Sequence, residues 1–354
     1  MHILTKQNPL IAKNATIEPQ KVTDKQHTPT TMYTPPFTIT DEILRLVSEI
    51  SERVGELNVM LGERMPSPML RKENQIKTIH SSLAIEHNSL SLQQVTDVIN
   101  GKHVLGAPNE IQEVKNAVQA YQLMHSLDAF REKDLLRAHG LMMADLVDNA
   151  GRYRKGGVGV FAGEQCIHMA PPADNVPFLM ADLFEWISTT DTHPLVSSCV
   201  FHYEFEFIHP FMDGNGRMGR YWQTMLLSRW KGIFAWLPVE TIVKKHQQDY
   251  YDAIAQSDAQ GNSTVFINFM LKCILQTINE QQKVTDKVTD KVTDKSENKI
   301  LNIIQATPTV TVAQIMEMLS MSDSGVRKIL RKLQQEGRLV RIGANKNGHW
   351  QIKQ

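Results

Sequence analysis

The stretch that most restricts how this chain can fold is a twelve-residue join, His209-Pro210-Phe211-Met212-Asp213-Gly214-Asn215-Gly216-Arg217-Met218-Gly219-Arg220. The segment before it, Val200 to Ile208, is apolar enough to be a buried helix. Pro210 disfavours helical geometry at His209, so the chain has to leave the helix there. Asp213-Gly214-Asn215-Gly216 then reads as a tight turn whose glycines allow positive φ and the close approach of a ligand. A second helix starts near Arg217 and continues through Trp222, Met225 and Leu226. A glycine turn feeding a helix N-terminus aims several backbone N–H groups at one spot, which suits phosphate.

The side chains around that turn add chemistry. Arg217 and Arg220 are three residues apart and share a helix face, so two guanidinium groups can clamp a polyphosphate. Asp213 offers a hard oxygen ligand for Mg²⁺, which binds few carboxylates and many phosphate oxygens. His209 has the ordinary pKa range of a general base for an attacking hydroxyl. Base, metal ligand, anion nest and paired cations together point to a phosphoryl-type transfer. A zinc site from His202, His209 and Asp213 is the rival reading of the same residues.

The join resembles the Fic family motif His-x-Phe-x-(Asp/Glu)-Gly-Asn-Gly-Arg-x-x-Arg at all eight specified positions. The resemblance implies transfer of AMP from ATP to a Tyr, Ser or Thr hydroxyl of a target protein, which could be this protein itself. It makes His209 the base, Phe211 the anchor of the loop in the core and Asp213 the Mg²⁺ ligand. Gly214, Asn215 and Gly216 would bind phosphate, with Asn215 at the α-phosphate and Arg217 and Arg220 at the outer phosphates. Met218 and Gly219, inside the motif, are counted with the ATP-binding residues.

Upstream, Ser81-Ser82-Leu83-Ala84-Ile85-Glu86-His87-Asn88 resembles the family's inhibitory motif (Ser/Thr)-x-x-x-Glu-(Gly/Asn). It implies that Glu86, fixed by Ser82, pairs with Arg220 and blocks the γ-phosphate; His87 departs from the usual Gly or Asn. Gly151-Arg152-Tyr153-Arg154 through Pro171-Pro172 looks like the family's flap hairpin, turning at Ala162-Gly163-Glu164. Asp249-Tyr250-Tyr251 resembles the Tyr pair that follows the motif, with His246 where an Asn often contacts the nucleotide. Leu70 to Asn74 and Glu110 to Tyr121 extend the likeness, which covers about residues 37–276. Two other functions stay open: a regulator whose Fic part senses nucleotide, and removal of AMP with Glu86 positioning water.

The expected fold is mainly α, a Fic helical fold with a β-hairpin flap plus a small C-terminal winged-helix domain. Residues 1–36 are polar and read as disordered; 37–115 form a helical region with the inhibitory motif, and 116–278 the catalytic core. Residues 279–296 hold Val-Thr-Asp-Lys repeats and read as a charged linker with at most fleeting helicity. Residues 297–354 show three helical stretches and a hairpin, the winged helix-turn-helix order. There, nine basic side chains face four acidic ones, a balance of +5, with Arg327, Lys328, Arg331 and Lys332 on the recognition helix; DNA is the candidate partner.

The 38 basic and 38 acidic residues of the whole chain balance, so any nucleic-acid affinity has to be local. Three scattered cysteines suggest reduced thiols, and neither a signal peptide nor an 18-residue apolar run is legible, so a cytoplasmic protein without a membrane partner is expected. A homo-oligomer is compatible with the sequence.

Overall fold

The computed structural model describes residues 33–60, 68–162, 165–319, 321–343 and 348–353. The chain divides into two compact units, Met1–Asn279 and Glu280–Gln354. In the first unit the order is α1 (Asp41–Met60), α2 (Pro68–Ile85), α3 (Leu92–Ile99), α4 (Pro108–Leu123) and α5 (Glu132–Met142). A hairpin follows, β1 (Gly159–Ala162) and β2 (Gln165–Met169), then α6 (Val176–Thr189), α7 (Pro194–Ile208), α8 (Asn215–Trp230), α9 (Val239–Lys245) and α10 (Gln247–Gln260).

Local chemistry starts and stops these helices where the sequence suggests. The Thr40 hydroxyl accepts the Ile43 N–H at 3.2 Å and caps α1. Ser91 and Gln94 form a reciprocal capping box at the head of α3. Pro108 opens α4 at a position where its missing N–H costs no helical bond.

The core runs the length of the first unit, and α7 and α8 are its most extensively packed helix pair. Nearly every residue of α7 is buried, as expected of a helix without a polar face. Phe201, Phe205, Phe211 and Trp222 are wholly enclosed at that pairing and stand as the rigid support of the join. Only one sheet belongs to this unit among the described residues, the antiparallel β1–β2 hairpin, with a register shift between Val160 and Phe161. Its turn at Gly163-Glu164 lies outside the described residues.

Order begins before residue 37. The Tyr33 hydroxyl donates to Glu204 on α7 at 2.8 Å, and the Ser263 N–H donates to the Pro36 carbonyl at 3.0 Å. The last residues of the segment expected to be disordered are therefore held against the helical core; residues 1–32 lie outside the described residues.

A single helix, α11, spans Thr264–Ala306, so the Val-Thr-Asp-Lys repeats lie on helical backbone where a linker was expected. Nothing in their sequence breaks a helix: they contain neither Gly nor Pro. The second unit contains the end of α11, α12 (Val312–Leu319), α13 (Asp323–Gln335) and an antiparallel hairpin, β3 (Leu339–Ile342) with β4 (His349–Ile352). Ile300, Ile304, Ile315, Val326 and Leu333 make its core. The Trp350 N–H donates to Pro308 at 2.8 Å, tying the strand to the segment after α11, which completes the winged-helix arrangement. No helix among the described residues is long and apolar enough to cross a membrane.

Candidate active site

The join between α7 and α8 folds as its prolines and glycines dictate. His209 ends α7 in the left-handed region, φ 49° and ψ 60°, with its N–H still donating to Phe205 at 2.9 Å. A β-carbon in that region is strained, and such strain persists only where surroundings enforce it. Arg154 supplies the enforcement. Its Nε donates to the His209 carbonyl at 2.8 Å and its backbone N–H to the Pro210 carbonyl at 2.9 Å. Its Nη2 reaches the Ile208 carbonyl at 3.3 Å.

The His209 ring lies with Nδ1 at 3.3 Å from the Glu206 carbonyl. A carbonyl only accepts, so this contact puts the proton on Nδ1 and makes Nε2 the nitrogen that can take another. His209 is 6 % exposed, so nearly all of the residue is shielded from solvent.

Phe211 is fully buried and stacks on His139, ring centroids 3.6 Å apart at 8°. Asn215 works differently from expectation: its Oδ1 accepts from the Phe211 N–H and its Nδ2 donates to the Phe211 carbonyl, both at 2.9 Å. The side chain closes the turn on itself. Gly214 caps α8 at φ 82°, and a β-carbon there would also strike Met143. In the first turn of α8 the N–H groups of Asn215, Gly216 and Arg217 have no acceptor within the helix, which makes this end an anion site.

Arg217 and Arg220 each meet a carboxylate of the chain. Arg217 donates to Glu113 of α4 at 2.9 Å and to Asp213 at 3.2 Å. Glu113 also accepts from Asn88 Nδ2 at 2.7 Å. Arg220, 2 % exposed, donates to Glu86 at 2.8 Å, to the Ser82 hydroxyl at 3.2 Å and to the Ser82 carbonyl at 3.0 Å. Burial alone would lower the Arg220 pKa, but Glu86, Tyr250 and Glu206 outweigh it and the net shift is upward. Ser82 was expected to steady the carboxylate; its contacts steady the arginine.

Glu86 stands one residue beyond α2. His87 turns into the left-handed region at φ 70°, with its N–H on Ala84 at 3.3 Å and the Asn88 N–H on Leu83 at 3.1 Å. These two bonds form a Schellman motif, whose left-handed position favours Gly or Asn. The carbonyls left at the end of α2 are held from α9 and α10: Lys244 Nζ on Ala84 at 2.7 Å, and Gln247 and the Tyr251 hydroxyl on Ile85 at 2.9 and 3.1 Å. The carboxylate so delivered lies against Gly216, where any β-carbon would collide with Oε1.

Other expected site residues lie apart from this spot. Met218 is fully buried in the core and its N–H donates to the Gly214 carbonyl at 3.0 Å, so neither its side chain nor its amide is open at the head of α8. Gly219 lets α8 approach α7: a β-carbon would sit 2.7 Å from His202 and 2.8 Å from Glu206. Tyr250 is 2 % exposed and its hydroxyl meets His202 at 3.1 Å, so it packs behind Arg220. His246 is at the surface, 3.3 Å from Asp249. The zinc reading fails because His202 is enclosed, with Nδ1 on Gln223 at 2.6 Å, and no group of three ligand residues occurs among the described residues. Sequence reasoning missed Arg154, Glu113 and Lys244 as parts of the site. Arg154 had a visible signal as the end of the Gly-Arg-Tyr-Arg string, and Glu113 lies within the Glu110 to Tyr121 stretch that extends the likeness.

Asp213 fits an Mg²⁺ ion that arrives with phosphates. Its side chain is 48 % exposed beside the α8 N-terminus, and one accessible carboxylate is the usual protein share in such sites.

Residues 126–227 match the Fic/DOC family and residues 293–340 the winged helix-turn-helix DNA-binding family. Proteins named protein adenylyltransferase Fic are 29 % identical over 220 residues in Culex quinquefasciatus and 26 % over 246 residues in Nematostella vectensis. These alignments cover 59 % and 66 % of this chain, and 42 % and 55 % of those proteins, so the chain spans about half the length of the curated relatives it matches. A Fic domain signalling protein from Bacteroides thetaiotaomicron shares the fold at TM-score 0.56 and 18 % identity, over 70 % of this chain and 98 % of that one. The crystal structure of a Fic family protein from Desulfovibrio desulfuricans superposes at TM-score 0.69 with 47 % identity, over 91 % of this chain and 98 % of that one. With its motif loop at the head of α8 and this likeness over nearly the whole of a solved relative, the chain belongs to the Fic family.

Proposed function

We propose that this protein transfers AMP from ATP to a hydroxyl of a protein and that Glu86 restrains the reaction. One observation carries the reading: the Glu86 carboxylate rests on Gly216 and Arg220, at the helix end where N–H groups and dipole favour an anion. A phosphate oxygen and a carboxylate compete for the same guanidinium. The chain's own anion sits where the substrate's would bind.

With Glu86 withdrawn, Arg220 takes the charge of the outer phosphates and the first-turn amides of α8 hold the phosphate nearest the turn. Asp213 would hold Mg²⁺, which when bound neutralises phosphate charge. His209 Nε2 takes the proton of the incoming hydroxyl. Its oxygen attacks the α-phosphorus, a P–O bond to the target forms, and the bond to the bridging oxygen breaks as pyrophosphate leaves. The backbone edge of the β1–β2 hairpin offers strand addition as a way to align the target segment. The intact Gly-Asn-Gly turn favours AMP over phosphate as the transferred group, as does the name of the curated relatives.

Mass spectrometry of the Glu86→Gly protein, incubated with ATP, Mg²⁺ and a cell lysate, tests this reading. It predicts peptides carrying one AMP on Tyr, Ser or Thr. Peptides gaining only phosphate, or none modified, would refute it.

For the second unit we propose DNA binding. Arg327, Lys328 and Arg331 are exposed along α13, the helix that would enter the groove.

A further inference from the structure

His139, on α5, is 1 % exposed, and both faces of its polar chemistry are used. Its Nδ1 accepts the Gly151 N–H at 2.8 Å. That nitrogen is therefore unprotonated, so Nε2 carries the hydrogen and donates it to the Asp213 carbonyl at 3.1 Å. The ring lies flat on Phe211. One neutral imidazole thus joins three parts of the site: α5, the start of the strand-bearing segment, and the catalytic loop at the residue that offers the metal ligand.

The surroundings make that joint rigid. Gly151 crosses α5 at close quarters, where a β-carbon would lie 3.0 Å from the Leu136 carbonyl and 3.3 Å from Gly140 Cα. Three residues later Arg154 binds the His209 and Pro210 carbonyls. Residues 151–154 are stapled to α5 at one end by His139 and to the catalytic base at the other by Arg154. Four residues after His139, just past the end of α5, Met143 fills the space beside Gly214. The loop has no regular structure of its own between Ile208 and Asn215, so its position is set by these contacts.

We propose that His139 is a positioning residue for the transfer reaction: it fixes the Asp213 backbone and the Phe211 ring so that the Asp213 carboxylate and the His209 imidazole stay in register. The proposal rests on the AMP-transfer reading. His139 touches neither substrate nor reacting atoms; it acts through Asp213.

Three variants in the Glu86→Gly protein separate the contacts. His139→Phe keeps an aromatic ring against Phe211 and loses both hydrogen bonds. In His139→Gln the side-chain amide nitrogen reaches the place of Nε2 and can donate to Asp213. In His139→Asn the shorter amide reaches the place of Nδ1 and serves Gly151 alone. AMP incorporation is measured against ATP concentration, with melting temperature recorded for each protein. A small misplacement of reacting groups costs on the order of 10²-fold in rate. The expected result is a kcat lower by roughly 10- to 100-fold in His139→Phe and His139→Asn, with KM for ATP within about threefold of the parent. His139→Gln should recover most of that loss. Activity in His139→Phe equal to the parent would overturn the proposal, as would His139→Asn matching or exceeding His139→Gln. A rank order that merely follows melting temperature would also overturn it. If the Glu86→Gly parent transfers no AMP at all, the transfer reading itself fails and this one falls with it.

Discussion

The motif makes sense residue by residue only when each side chain's direction is known. The pairing of Glu86 with Arg220 was legible only through the resemblance of the Ser81 to Asn88 stretch to the family's inhibitory motif, and the two side chains meet at 2.8 Å. The contact of Ser82 with Arg220 was not legible, because one helical turn of spacing from Glu86 says nothing about a distant arginine arriving between them. Asn215 was read only as a phosphate contact, and its clasp on the Phe211 backbone at 2.9 Å was not foreseen, because no spacing encodes a bond to a backbone group. Met218 was lost for a simpler reason: a motif marks positions in a string, whereas a helix of about 3.6 residues per turn points neighbouring positions in different directions. The left-handed His87 gives a residue-level prediction. Its β-carbon costs roughly 1–2 kcal/mol there, so His87→Gly should stabilise the protein by about 1 kcal/mol, less what glycine loses to unfolded-state freedom. A denaturant midpoint that moves upward with unchanged slope would bear this out. A downward shift would show that His87 makes contacts outweighing its strain.

At the scale of elements, the α7–turn–α8 join was the easiest part to foresee. Proline and glycine act locally, and a Pro two residues past a buried apolar run leaves the backbone little choice. Contacts between distant elements were hidden for the same reason in reverse: Arg154 and His139 bind backbone carbonyls and amides, which no spacing encodes. The N-terminal strap is another such case. Tyr33 reaches Glu204 on α7, and burial there, eased by the Tyr33 bond and reinforced by Asp258, raises the Glu204 pKa to about 7. A carboxyl with a raised folded-state pKa stabilises fully below its unfolded value, and that stability is lost as pH rises towards about 7. Glu240, buried beside Thr224 and Tyr121, is also raised to about 7 and adds the same sign. Buried His139, its pKa lowered to about 4 by desolvation, contributes the opposite sign, so the test is a difference: relative to Glu204→Gln, the unaltered protein should lose melting temperature between about pH 5 and pH 7.5. A slope unchanged in Glu204→Gln would contradict this assignment.

For the whole molecule, composition sets the terms. Equal numbers of acidic and basic residues give the chain no general attraction to nucleic acid, so the proposed DNA binding would have to come from the second unit's local charge. Within that unit the acids are largely spent internally, Glu297 on Lys332 and Arg338, and Asp323 on Arg327. Lys328 and Arg331 stay exposed on α13. Binding to duplex DNA should weaken linearly on a log–log plot against salt, and Arg331→Ala should lower the slope by about one. Salt-independent association would instead mark the unit as a protein-binding module. The winged-helix order was readable because each short element carries its own apolar spacing. Helical backbone through the Val-Thr-Asp-Lys repeats was not, since four-residue charged repeats suit a solvated coil as well as a helix.

If the head of α8 grips a triphosphate while His209 deprotonates an alcohol, the rate of AMP transfer depends on both Glu86 and the imidazole. The most direct test compares initial rates of α-phosphate-labelled AMP incorporation in three proteins: the unaltered chain, Glu86→Gly, and Glu86→Gly with His209→Ala. Expected are a low rate, a rate raised at least about tenfold by freeing Arg220, and a fall of at least about 10²-fold when the base is removed. Equal incorporation with and without the imidazole would contradict that role of His209.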